Sequence, residues 1–397
     1  NVEFDFTKKL SGRNLKANEF TFNLLNEAGA VVGTAKNDLN GNIKFTGIKY
    51  KVSDLGTNSA GKRNDSKTFN YTVKEVVPTT AEAGMSYDQM EAKVAVTVTK
   101  TGHTLTTATT YSSVNGIDAN GNPTTGVDKE FNNTFTPNPV KVNLEFDKSL
   151  SNGTLNAGDF SFKLTGDGNV NETVTNKANG KINFSTLSFD KAGVYNYTVK
   201  EVAGTNTDVD YDAMTINVKV TVTKDANTGL LSASTVMTSS GGEATDANDR
   251  VFNNFVVPPV PVNVNFTKAL AGRALVAGEF TFEMKDENGV VVATGTNDEH
   301  GVVTFNQLPE VKNAQVGKVI KYKVTEKVPA NKEFGVTYDN MVAEVSVTVS
   351  KNADHTLKAT VTYPGGDTEF NNTVTPPTTP EFQPEKFVVS KEKYDIT

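Results

Sequence analysis

Polar and apolar residues alternate with a period of two along much of the chain. Met90, Ala92, Val94, Val96 and Val98 share one side of such a stretch, and Glu91, Lys93, Ala95 and Thr97 share the other. Met214, Ile216, Val218, Val220 and Val222 repeat the arrangement, as do Met341, Ala343, Val345, Val347 and Val349. A strand with one face on a core and one face in water reads this way. Turn signals, such as LNGN from Leu39 and ANGK from Ala178, separate further short strands.

The pattern recurs at a larger scale. Three segments open alike: VEFDFTKKLSGRNLKANEFTF from Val2, VNLEFDKSLSNGTLNAGDFSF from Val142 and VNVNFTKALAGRALVAGEFTF from Val262. Each reaches a second shared block (FNYTVKEV, YNYTVKEV, IKYKVTEKV), then a third (SYDQMEAKVAVTV, DYDAMTINVKVTV, TYDNMVAEVSVTV), and closes on EFNNTF, VFNNFV or EFNNTV. The equivalent Lys8, Lys148 and Lys268 lie 140 and 120 residues apart. A unit of that size can own a core, so these are domains and not solenoid turns. Pro-bearing stretches, TPNPVK and VVPPVPV, separate them and predict short, semi-rigid connections. The expected division is 1–136, 140–257 and 261–375, each a β-sandwich. Residues 376–397 are expected to be a Pro/Thr-rich spacer and the first strand of a following domain. The chain starts and stops in mid-pattern, which reads as a piece of a longer polypeptide. The first repeat carries two insertions, SDLGTNSAGKRNDSK from Ser53 and SSVNGIDANGNPTTG from Ser112, both at expected turns.

Composition narrows the function classes. The 397 residues include no Cys and no Trp, and the formal net charge is −7. Disulfides and thiolate metal sites are excluded. Basic residues are scattered, which argues against nucleic acid as a partner. No apolar run is long enough to span a membrane.

The chemistry sits in exceptions to the alternation. Val2, Phe4, Phe6 and Leu10 share a side, and Lys8 has their parity. Lys148 and Lys268 stand in the same place. In the second block Phe69, Tyr71 and Val73 lead to Glu75 at apolar parity, and Glu201 and Glu326 repeat it. In the closing block Phe131 and Phe135 share parity with Asn133 and not with Asn132. The same count selects Asn254 and Asn372. One Lys, one Glu and one Asn are thus expected to face inward in every domain.

A lone buried ammonium or carboxylate is costly and tends to neutralise. Two accounts fit. In one, Lys and Glu form a buried ion pair with Asn hydrogen-bonded beside it. In the other, the neutral amine attacks the Asn side-chain amide, while Glu polarises the carbonyl and shuttles the proton. Ammonia leaves and a Lys–Asn amide remains.

At these residues the chain resembles the streptococcal pilin isopeptide-linkage domain family. The matching elements are F-T-K-x-L followed by E/D-F-x-F, the Y-x-V-x-E strand, the x-Y-D segment and the terminal F-x-N, in order and three times over. The resemblance implies an all-β chain of three tandem immunoglobulin-like β-sandwich domains in an elongated array. It implies a self-formed bond joining first and last strands, with Lys8–Asn133, Lys148–Asn254 and Lys268–Asn372 as reacting pairs and Glu75, Glu201 and Glu326 as catalytic acids. Parity and resemblance select the same nine residues. The pilin-type lysine motif for sortase polymerisation and a sorting signal are not seen, so a repeat region of a surface fibril fits better than a polymerising pilin.

The function expected is a structural stalk on the outside of a Gram-positive cell wall, monomeric as a fragment, without cofactor and not a turnover enzyme. The rival is an adhesin whose repeats bind host surface or matrix proteins, with the loops of the first repeat as contacts. IDANGN near Asp118 has the alternating oxygens of a calcium loop, but Pro123 stands where that loop needs Gly, so a plain turn is expected. His103, His300 and His355 are isolated in turn-like stretches, and no metal site is expected.

Overall fold

A computed structural model describes residues 1–378. The expected spacer and following strand fall almost wholly outside these residues. Among the described residues the regular structure is nearly all strand, with three short 3₁₀ turns. Three separate hydrophobic cores run from Val2 to Phe131, from Leu144 to Phe252 and from Val262 to Phe370. The architecture is three tandem immunoglobulin-like sandwiches.

The first domain has nine strands: β1 Val2–Ser11, β2 Thr21–Asn26, β3 Val31–Lys36, β4 Asn42–Ile48, β5 Ser66–Glu75, β6 Met85–Ser86, β7 Glu91–Thr101, β8 Thr104–Val114 and β9 Glu130–Phe135. They form two facing sheets, ordered β4-β1-β9-β6 and β3-β2-β5-β7-β8. The alternation of β1 becomes alternating burial from Val2 to Lys9, with Phe4, Phe6 and Lys8 inside. Met90, Ala92, Val94, Val96 and Val98 line the opposite wall. Burying side chains of this size stabilises by about 1.5–3 kcal/mol each, and so fixes which face of each strand points inward.

First and last strands are neighbours and run parallel. Lys8 stands opposite Phe131 and Leu10 opposite Asn133. Lys8 and Asn133 therefore lie on adjacent strands, on one face, two positions out of step. The second domain repeats this register with Lys148 opposite Phe252 and Leu150 opposite Asn254. The third does so with Lys268 opposite Phe370 and Leu270 opposite Asn372. In the third domain Val291–Asn297 also pairs with Val302–Asn306, which joins its two sheets along one edge.

The insertions of the first domain are ordered. Val52–Leu55 forms a 3₁₀ turn that buries Leu55. The loop after β8 closes on itself through an Ile117–Pro123 bridge. There Asp118 Oδ1 accepts the backbone N–H groups of Asn120 and Asn122 at 2.8 and 2.9 Å, a plain Asx turn. The same loop corrects one expectation. Asn132 has outward parity, yet it is only 5% exposed, because its Nδ2 donates to Ile117 O and the loop covers it. Where no such loop exists, Asn253 is half-buried and Asn371 exposed.

Candidate cross-link sites

Each domain contains the same buried group of side chains. Lys8 comes from β1 and Asn133 from β9, both in one sheet, whereas Glu75 ends β5 in the other sheet and reaches across the core. Lys8 Nζ donates to Glu75 Oε2 at 2.8 Å, and Asn133 Nδ2 donates to Glu75 Oε1 at 2.6 Å. In the second domain Lys148 and Asn254 reach Glu201 at 3.0 and 2.6 Å. In the third, Lys268 and Asn372 reach Glu326 at 2.8 and 2.7 Å. All three Lys and Glu side chains are fully shielded from water. The nine residues singled out in the sequence are thus brought together three by three.

One expected contact differs. The carboxyl group does not bond the Asn carbonyl. Asn133 Oδ1 instead accepts the backbone N–H of Asp88 at 2.8 Å, and Asn254 and Asn372 accept from Asp212 and Asp339 at 2.8 and 2.7 Å. A backbone N–H can only donate, so it fixes which way the amide faces. The carboxyl group then lies against the amide nitrogen, the atom that would leave.

Aromatic rings enclose the group. Lys8, Lys148 and Lys268 each place Nζ 4.7 Å from a ring centre, of Phe20, Phe160 and Phe280 respectively. Phe22 and Phe131, whose backbones pair with Glu75 and Lys8, meet across the sandwich with ring centres 5.0 Å apart. Phe162–Phe252 and Phe282–Phe370 repeat this at 5.2 and 5.0 Å. The shared E/D-F-x-F block carries Phe20 and Phe22 and their equivalents, the closing F-x-N block carries Phe131, Phe252 and Phe370, and period-two spacing was the available signal for them.

Burial acts on both ionisable groups. It pulls the Lys8 ammonium below its ordinary value and pushes the Glu75 carboxyl up, each against the attraction of the partner. Lys148 is pulled down to about 8 by burial, and Glu201 is pushed up. Burial lowers Lys268 as well. These shifts favour a neutral amine beside a neutral acid, the forms needed for nucleophilic attack and proton transfer.

The family described as Spy0128-like isopeptide containing domain matches residues 4–136, 144–256 and 264–375. The chain belongs to that family. No curated protein matches it. Among solved structures, it is similar to the major pilin T3.2 of Streptococcus pyogenes, with 17% identity over 60% of this chain and 98% of the pilin, at a TM-score of 0.25. It is also similar to a C-terminal fragment of the pilus adhesin SpaC from Lactobacillus rhamnosus GG, with 13% identity over 58% and 96% of the two chains and a TM-score of 0.25. The Bacillus anthracis TIE protein is a further match, with 13% identity over 86% of this chain and 48% of that one, at a TM-score of 0.19. The family assignment rests on the threefold family match and not on these superpositions.

Proposed function

We propose that the chain is a stalk segment of a Gram-positive cell-surface fibril whose three domains each close themselves with a Lys–Asn amide. The observation that carries this is the Lys–Glu–Asn group, fully buried and repeated between first and last strands. In each domain Nζ attacks the Asn side-chain carbon. The carboxyl group takes a proton from the attacking nitrogen through one oxygen and returns one to the leaving nitrogen through the other. The C–Nδ2 bond breaks, ammonia leaves, and one new C–Nζ bond remains. Both buried charges disappear with the reaction, which removes their desolvation cost. It happens once per domain and on the chain itself, so it is maturation and not turnover.

The mechanical reading follows from topology. Parallel neighbours β1 and β9 place the chain's entry and exit at opposite ends of one ladder, which loads that ladder in shear. A bond from Lys8 to Asn133 would carry tension past most of the sandwich. It would serve where a chain without Cys has no disulfide. The test is intact mass. The expected result is a deficit of three ammonia masses against the sequence. A full sequence mass would leave only buried ion pairs and sink the proposal.

A further inference from the structure

The x-Y-D segment that opens the third shared block has so far only a structural place. Its Asp makes the same two backbone contacts in all three domains. Asp88 Oδ1 accepts the N–H of Met90 at 2.9 Å, and Oδ2 accepts the N–H of Asn132, the residue before the reacting Asn133, at 2.8 Å. Asp212 accepts Met214 N–H at 2.8 Å and Asn253 N–H at 2.8 Å, with a third N–H from Glu243 at 3.0 Å. Asp339 accepts Met341 N–H at 2.8 Å and Asn371 N–H at 2.6 Å. Asp88 and Asp212 are almost wholly buried. Each carboxylate clamps its own backbone onto the strand bearing the reacting Asn. The clamped backbone N–H points at that Asn's Oδ1.

That oxygen is where negative charge develops when the amine adds to the amide carbon. A preorganised N–H there stabilises the tetrahedral state as an oxyanion-hole donor does. We infer that Asp88, Asp212 and Asp339 are positioning residues for the cross-linking reaction: each side chain aims its own backbone N–H at the developing oxyanion. The inference rests on the self-cross-linking reading above and assigns the half of the reaction that Glu does not perform. Glu moves protons between the two nitrogens. The Asp backbone holds the oxygen. No proton passes through Asp, and the N–H returns to a neutral carbonyl when the amide forms.

The full chain, made by cell-free synthesis and released into buffers of different pH, gives the rate at each site by timed intact mass and peptide mapping. Full loss of one oxyanion donor costs about 10²–10³-fold in rate, and loosening one is expected to cost at least ~10-fold. Asp212→Ala should therefore slow Lys148–Asn254 formation by that factor and leave the bonds of the other two domains at their normal rate. The pH profile should drop uniformly without moving along the pH axis, because the proton shuttle is untouched. An unaltered rate overturns the inference, and so does a displaced profile, which would mean that Asp212 acts through Lys148 or Glu201. If domain two of this variant does not fold, Lys148→Met decides, since it cannot react and keeps Asp212. There the Asp212 amide should exchange slowly, and adding Asn254→Ala should speed it by at least ~10-fold, the loss of a hydrogen-bonded closed state. Equal exchange with and without the Asn254 side chain overturns the inference. A wild-type chain that loses no ammonia would instead remove the cross-linking reading itself, which keeps the two failures distinct.

Discussion

The three cores are copies, whereas the two joints between domains are not. Lys–Glu, Asn–Glu and Asp–Asn contacts agree across the cores within 0.2 Å. Both joints use the hairpin after the later domain's long third-block strand, joined at the second by Asn313 from a 3₁₀ turn, but with different chemistry. At the first, Asn14 donates its backbone N–H to Ala226 O at 2.8 Å and its Nδ2 to Asn227 Oδ1 at 3.0 Å, and Gly229 lies against Arg13 and the Phe135 ring. At the second, Asp210 accepts Lys351 at 2.6 and 2.8 Å and Asn313 at 3.0 Å, and it faces His355 Nδ1 at 2.8 Å. The His355 ring stacks on Phe255 at 3.7 Å. A reaction tolerates little misplacement of its atoms. A joint needs only a fitting surface, and its residues are free to differ.

The comparison is tested hardest at a core. Glu201→Ala removes the acceptor of both Lys148 and Asn254. The expected result is loss of the middle bond alone, seen as a deficit of two ammonia masses instead of three. A cross-link closing about 100 residues stabilises by roughly 4–5 kcal/mol on the chain-entropy estimate. Domain two should lose about that much, and more for the stranded Lys148, while its neighbours keep their midpoints. A Lys148–Asn254 cross-linked peptide from this variant would contradict the role given to Glu201.

Asn254→Ala leaves a core with Lys148 unreacted. Its folded value of about 8 lies below the ordinary 10.5 because burial disfavours the charge. Between those values the unfolded chain binds more protons, so stability should rise with pH across that window. Glu201, pushed up, gives the opposite trend: its contribution is complete below its ordinary 4.5 and is lost as pH rises through its folded value. Urea midpoints at the two ends of the alkaline window, compared with Asn254→Ala/Lys148→Met, measure the lysine effect. A midpoint that does not rise with pH relative to the double variant would show that the amine is not desolvated.

The same contrast explains what could be read from the sequence. Lys8, Glu75 and Asn133 were legible because strand parity is a strict period and a charged residue at apolar parity stands out. Asp88, Asp212 and Asp339 were visible only as a motif. Their contribution lies in a backbone N–H, which no side-chain pattern reports. Asn132 defeated parity because an inserted loop, and not its strand, decides its burial. His355 looked like an isolated turn residue, since its partners Asp210 and Phe255 belong to the preceding domain. Contacts between domains follow no period.

Joint contacts should therefore change without disturbing the cores. Asp210→Ala removes hydrogen bonds from Lys351 and Asn313 and the carboxylate beside His355. Hydrogen bonds to a charged group are worth about 1.5–3 kcal/mol each when shielded, and less here because Asp210 and Lys351 keep 20% and 24% of their side chains exposed. Proteolysis in the 256–262 linker and small-angle scattering should report a looser second joint at unchanged intact mass. A missing middle cross-link in this variant would mean that joint and core are coupled.

The smallest effect is expected at the first joint. Gly229 has φ +72°, and a Cβ there would stand 2.6 Å from the Phe135 ring and 3.0 Å from Arg13 Cβ. Gly229→Ala thus carries two costs. The left-handed conformation disfavours Ala by about 1–2 kcal/mol, and this falls on a hairpin turn of domain two. The clash with Phe135 is relieved by moving one domain away from the other, because the ring belongs to domain one. The variant should lower domain two slightly and shift the distance between labels on domains one and two. The second joint and all three mass losses should stay as they are. An unchanged label distance would show that Phe135 can turn aside within its own domain, and the first joint would then rest on the hydrogen bonds from Asn14 to Ala226 and Asn227 and not on the ring.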